Sequence, residues 1–261
     1  MYEVILCDVK DRVGTLTFNR PDVGNAFAPE TYREVKHALY AFAQDDNVGC
    51  IVLTGAGKFF AAGGDIKRFK RQLEAKEYLS EENVLSAGDM ALAVRRCPKP
   101  VVAMINGAAA GAGASLALAC DFRIVTASTR LVLGFINLGL PGDSGAMSSL
   151  IHLVGTAKTM EILITGTAVG GEEAMRLGLA TKLAEEGKLA EVTYEFARYL
   201  AARPLQAIKY QKATLLEFYY AHLRDLHQRE ADYMVACSKT KDFEEAVNAF
   251  LEKRPAQFIG K

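Results

Sequence analysis

The 261-residue sequence predicts an α/β core over residues 1–190 and a helical region over 191–261. Short Val- and Ile-rich runs alternate with stretches of helical periodicity, and Gly and Pro punctuate the junctions. Beyond about residue 190 the strand signals give way to charged amphipathic helices. Strands of that composition, separated by helices, belong in a sheet covered on both faces.

The opening segment alternates as a half-buried strand through Val13, Leu16 and Phe18, and NRPDVGN then makes a loop. Thr31 is the expected N-cap of a helix whose apolar face runs through Val35, Ala38, Leu39 and Phe42. VGCIVLTG reads as a fully buried strand and GKFFAAGGDI as a loop. Residues 67–96 are polar and mostly helical until Pro98 and Pro100 stop them ahead of the strand VVAMI. GAAAGAGASLALAC is a Gly/Ala turn entering a tightly packed helix, and DFRIVTA is a further strand, where Asp121 and Arg123 are placed to pair. Near the C-terminus, Asp242 with Glu245 three residues on predicts a capped helix start, with Phe243, Val247, Phe250 and Leu251 along one face.

Composition narrows the function. Thirty-one basic residues balance 31 acidic ones, so no global field draws the chain to nucleic acid or an anionic membrane. No apolar run approaches the ~20 residues that span a bilayer, and the N-terminus lacks the pattern of a secretory signal. A cytoplasmic protein is expected. Five scattered cysteines form no CxxC pair, so buried reduced thiols are expected and a metal site is not. The four histidines (His37, His152, His222, His227) all fall in helical segments and read as surface or packing residues.

Two small-residue loops remain, AAGGD (61–65) and GAAAGAG (107–113). The glycines of the second, at 107, 111 and 113, do not fit the GxGxxG spacing of a dinucleotide site, which argues against a nicotinamide cofactor. Such loops let backbone approach a ligand, and the second opens a helix whose free N–H groups favour negative charge. Tight helix–sheet packing alone is the competing explanation.

The chain resembles the enoyl-CoA hydratase/isomerase (crotonase) family in five ordered segments: NRPDVGNAF, IVLTGAGKFFAAGGDIK, KPVVAMINGAAAGAGASLALACDFRI, LITGTAVGGEEAMRLGLATKL and TKDFEEAVNAFLEKRPAQF. The resemblance implies a spiral of strand-strand-helix repeats with a C-terminal helical trimerisation region, assembled as a homotrimer or a dimer of trimers. It implies an acyl-CoA thioester as substrate, with CoA entering as part of that substrate and no separate cofactor. The thioester oxygen would be held by the main-chain N–H groups of Gly64 and Ala112, flanked by Phe27, Gly63, Asp65 and Gly111. The backbone of Asn25, Ala26, Ala62 and Ile66 would meet the adenine end of CoA and Lys67 its phosphates, while Phe258 and Lys261 would reach a neighbour's CoA. The rest of KRFKR (67–71) reads equally as a solvated helix face.

The pattern is broken where family hydratases carry their two glutamates, because Ser115 and Phe135 stand there. Neither is a useful base at neutral pH, which argues against ordinary hydration. Asp143, in GLPGD, matches the aspartate of ring-forming and dienoyl-CoA isomerases and of aryl-CoA dehalogenases in the family. The dehalogenase branch also needs a histidine and a tryptophan where this chain has Leu92 and Phe135. A double-bond isomerase with Asp143 as base is therefore the expected activity. The same residue, ahead of SGAMSSLI, would also serve as a helix N-cap. Decarboxylation, thioester hydrolysis, hydration by a rearranged acid pair, and a non-catalytic CoA-binding protein are the alternatives. One of the ten tyrosines could supply a proton, but the sequence does not place it.

Overall fold

The computed structural model describes residues 2–261. The single opening strand expected from the alternation is a hairpin of β1 (Ile5–Lys10) and β2 (Val13–Phe18). Its two-residue turn, Asp11–Arg12, has φ of 51° and 62°, the left-handed pair that matches strand twist. β2 keeps the alternation, with Val13, Leu16 and Phe18 buried. α1 (Pro29–Gln44) starts ahead of the expected position, because Ala28 is the N-cap and Pro29 the first helical residue. Thr31 still serves this end, as its hydroxyl accepts the Ala28 amide at 3.2 Å.

Three successive units each lay one strand in a large sheet and one in a small sheet before returning through helix. They are β3 (Cys50–Gly55), β4 (Phe59–Ala61), α2 (Ile66–Glu74) and α3 (Glu81–Arg96); β5 (Val101–Met104), β6 (Ala108–Ala110) and α4 (Ala112–Ala119); and β7 (Phe122–Val125), β8 (Arg130–Val132) and α5 (Ala146–Thr165). A closing unit of β9 (Val169–Gly170), α6 (Gly171–Arg176) and β10 (Lys182–Leu183) adds one strand to each sheet. The large sheet runs β1-β2-β3-β5-β7-β10 and the small one β4-β6-β8-β9. β3 is buried at every position, as its apolar run predicts. β4 and β6 correct the reading of both glycine-rich segments as pure loop: each enters its loop from a three-residue strand, and the two strands pair in parallel.

Helices follow to the end: α7 (Leu189–Ala201), α8 (Leu205–Tyr219), α9 (Leu223–Cys237) and α10 (Lys241–Glu252). Both sheet faces are covered. On one, Leu16, Phe18, Ile51 and Leu53 pack with α1, α3 and α4; on the other, Ala197, Leu200 and Ala201 of α7 close over Val13, Val52 and Val102. The C-terminal cap differs from expectation, since Thr240 caps α10 by accepting the Phe243 amide at 3.2 Å. Asp242 instead accepts the Ile259 and Gly260 amides at 2.7 and 2.8 Å, and Glu245 binds Arg254 and the Gln257 amide, so both acids pin the chain's tail. Asp121 also departs from expectation, pairing with Lys212 rather than Arg123, which donates to the Leu179 and Cys120 carbonyls. The cysteines are all free; Cys50, Cys97 and Cys120 are buried, while Cys7 is exposed. No helix among the described residues is long and apolar enough to cross a membrane.

Candidate active site

The two glycine-rich loops leave the ends of the paired strands β4 and β6 and interlock. Gly63 has φ 80°, and a Cβ there would stand 2.6 Å from the Ala110 carbonyl and 3.2 Å from the Ala112 nitrogen. A Cβ at Gly113 would meet the Ala61 carbonyl at 2.5 Å. Only glycine permits either approach, so the small residues serve backbone-to-backbone contact. Phe27, fully buried, donates its amide to the Gly63 carbonyl at 2.7 Å. Asp65 caps α2 by accepting the Arg68 amide at 3.2 Å and faces Arg20 at 3.8 Å, which buttresses the first loop. On the other side, the Gly111 amide donates to Val132 at 2.8 Å, and α4 begins at Ala112.

Gly64 and Ala112 both open onto a cavity of about 370 Å³. Among the described residues neither amide is taken by a main-chain or side-chain acceptor. The walls are mostly apolar, with Phe69, Leu79, Phe135, Leu140, Met234 and Phe250 among them. Ala62, Ile66 and Gly111 line the cavity as well, and so does Asp143. Mostly apolar walls with a few convergent polar groups are the usual character of a small-molecule site.

Asp143 lies in a turn of unusual path. Gly142, Ser144 and Gly145 have φ of 115°, 58° and 71°. Phe135, the first residue of a 3-10 turn over Phe135–Leu138, packs its ring 3.3 Å from where a Gly142 Cβ would be and 3.7 Å from one at Gly111. That ring sets the spacing between the acid's turn and the second glycine loop. The N-cap alternative for Asp143 does not hold: α5 is capped by Gly145 without a side-chain bond, and among the described residues the carboxylate accepts only the Ser144 hydroxyl, at 3.0 Å. Burial pushes the Asp143 carboxyl up to about 6, against a smaller lowering by Ser144.

The other expected residues fall around this centre rather than in it. Asn25 is buried, and its side chain ties loops together by accepting the Arg20 amide at 2.9 Å and donating to the Ala56 and Phe59 carbonyls at 2.9 and 2.8 Å. Ala26 is buried beside it. Ser115 is fully buried and its hydroxyl donates to the Gly111 carbonyl at 3.2 Å, away from the cavity lining. Lys67, Phe258 and Lys261 are exposed and do not line the cavity; the last two sit in the tail against α10.

Sequence reasoning misses several wall residues. Tyr32 of α1 is buried, and its hydroxyl is held well above its usual range by burial and then by the Asp143 charge. Arg68 turns inward, with Nε and Nη1 buried and without a protein partner among the described residues. Asn83 and Asn137 add amides. Behind the Asp143 turn, Glu230 of α9 accepts the Gly145 amide at 3.0 Å. His227, one turn earlier, is buried and pushed down to about 4 by desolvation, a neutral packing residue as expected. Nothing local in the sequence marks these positions, because Tyr32, Arg68, Asn83 and Glu230 stand in helices with ordinary amphipathic patterns.

Comparison with known proteins places this geometry. The family model described as Enoyl-CoA hydratase/isomerase matches residues 8–261. The chain is 32% identical over 261 residues to trans-2-decenoyl-[acyl-carrier-protein] isomerase of Streptococcus mutans, covering 100% of this chain and 99% of that one. It is 34% identical to 1,2-epoxyphenylacetyl-CoA isomerase of Escherichia coli, with 100% of both chains covered. Among solved structures, an enoyl-CoA hydratase from Mycobacterium avium subsp. paratuberculosis superposes with a TM-score of 0.89 at 27% identity, covering 99% of this chain and 100% of that one.

Proposed function

The chain belongs to the enoyl-CoA hydratase/isomerase family and has the crotonase fold, and from that premise we propose that it moves a carbon–carbon double bond along an acyl-CoA thioester. Gly64 and Ala112 donate their main-chain N–H groups to the thioester oxygen, and Asp143 is the base. The observation that carries this reading is a buried carboxylate on the wall of the same apolar cavity as the two amides.

The chemistry needs no second protein acid or base. Two N–H donors polarise the carbonyl and acidify the conjugated C–H bonds. The Asp143 carboxylate takes a proton from one carbon, and the electron pair spreads onto the oxygen as a dienolate that the two amides hold. Protonated Asp143 then returns the proton two carbons away. Hydration would require a further group to activate water. The two family positions for that task carry a buried serine bonded to backbone and a phenyl wall. Apolar walls also keep water from the dienolate and favour return of the same proton. A carboxyl near 6 is ionised at neutral pH yet basic enough to work.

The CoA portion lies along the backbone of Asn25, Ala26, Ala62 and Ile66, with Lys67 towards its phosphates. Exposed apolar side chains on α8, among them Tyr210, Leu215 and Phe218, support burial against sister copies in a trimer or a dimer of trimers. The reaction belongs in the cytoplasm, where CoA thioesters are used.

The test is product analysis with β,γ- and α,β-unsaturated acyl thioesters, carried on CoA and on acyl carrier protein because one relative is named for the latter carrier. Isomerised thioester is expected. kcat/KM should rise with pH through about 6 as Asp143 ionises. Hydroxyacyl products alone, or no turnover on any thioester, would overturn the reading.

A further inference from the structure

We propose that Glu230 is a positioning residue for Asp143: from α9 it accepts the Gly145 amide and thereby holds the turn 142–145 in the path that faces Asp143 to the cavity. The inference rests on the reading of Asp143 as the base. Glu230 itself does not line the cavity, so it acts through the turn.

The turn needs an external hold. Ser144 has φ 58°, a conformation that residues other than Gly, Asn and Asp seldom adopt, and it lies between glycines with φ of 115° and 71°. Within the turn, Ser144 Oγ donates to Asp143, and the Ala146 amide donates to the Asp143 carbonyl at 3.1 Å. Glu230 Oε2, 3.0 Å from the Gly145 nitrogen, reaches it from 85 residues along the chain. α9 is well placed for this: Met234, one helical turn beyond Glu230, lines the cavity, and His227, one turn before, comes within 3.2 Å of where a Gly145 Cβ would be. The glycine at 145 leaves room for that contact.

The geometry also places two carboxyls in each other's field. Burial and then the Asp143 charge push Glu230 up to about 8, against the Gly145 N–H. Beyond burial, only the Gly145 N–H and the Asp143 charge act on Glu230; His227 on the same helix is pushed down by desolvation and stays neutral, and Asp89 and Arg95 of α3 act on His227. The pair is therefore expected to lose its protons in two steps, near 6 and near 8, and to carry a single negative charge between them. Ionisation of Glu230 would put a second negative charge behind a site that must stabilise an enolate, so turnover should fall as pH rises through about 8.

Two variants of the full-length protein separate the roles. Glu230→Gln keeps an acceptor for Gly145 but cannot ionise, whereas Glu230→Leu removes the acceptor. E230Q should stay within about threefold of the parent kcat near pH 7 and lose the alkaline limb of the pH profile; E230L should lose about a hundredfold in kcat with little change in KM. Hydrogen exchange of the 142–146 amides, followed by mass spectrometry, should be unchanged in E230Q and faster in E230L. Melting adds a readout independent of turnover. A carboxyl raised in the folded state costs stability as pH climbs from its unfolded value of 4.5 to about 8, so E230Q should melt higher than the parent at about pH 9. An alkaline limb that persists in E230Q, or unchanged exchange and kcat in E230L, overturns the proposal. If the parent enzyme isomerises nothing, the functional reading fails by itself, and exchange and melting still decide the role of Glu230.

Discussion

Asp143→Asn is expected to lower kcat for double-bond transfer by about a thousandfold, within the range that a general base contributes, while acyl-CoA still binds. Asparagine has nearly the same shape and can accept the Ser144 hydroxyl, the one side-chain bond the carboxylate makes among the described residues. It cannot carry a proton between two carbons. The same substitution should raise stability. Burial holds the folded carboxyl near 6 against 3.8 in the unfolded chain, so its cost is absent at low pH, grows as pH rises through that window, and is complete above it. The full cost is up to about 3 kcal/mol. Urea unfolding near pH 8 should therefore show the variant more stable than the parent. A buried acid that destabilises the fold and is required for turnover is the signature of a functional group. Unchanged kcat in D143N would remove Asp143 from the mechanism.

Ala112→Pro is expected to have the second largest effect. Ala112 is the first residue of α4, where proline is tolerated because its missing N–H has no helical partner and its φ suits the helix. The preceding residue is a glycine, which restricts the backbone least. The substitution therefore deletes one donor to the thioester oxygen with little demand on the fold. kcat should fall by about 10²–10³-fold, corresponding to roughly 3–4 kcal/mol of transition-state stabilisation. Circular dichroism and the melting temperature check that the helix survives. A folded A112P enzyme with parental kcat would show that the amide plays no part.

The sequence is most informative where burial is complete. β3 and β5 are apolar runs in the large sheet, buried at every position, and each is evident from composition alone. The small sheet is not evident. FFA and AAA are three-residue strands with no alternation to read, and they pair only because the larger sheet sets their ends side by side. Helix caps are ambiguous for a related reason: Thr31, Asp242 and Glu245 are all good capping residues, but a neighbouring residue or the tail uses them differently.

The site divides in the same way. Gly64, Ala112 and Asp143 follow from ordered motifs, and all three stand on one cavity. Whether Asp143 is a cap or a wall group depends on Ser144 and Gly145 taking left-handed conformations, which a one-dimensional pattern does not encode. Tyr32, Arg68 and Glu230 come from helices distant in sequence, where their spacing suggests only amphipathic packing. Lys67, Phe258 and Lys261 remain outside the cavity in a single chain.

The most direct measurement is a crystal structure of the protein with a non-reactive acyl-CoA thioester analogue. The carbonyl oxygen is expected about 2.7–3.1 Å from both the Gly64 and Ala112 nitrogens, with the reacting carbons facing the Asp143 carboxylate. A carbonyl bound elsewhere, or those two amides turned away from it, would rule out the oxyanion role of Gly64 and Ala112.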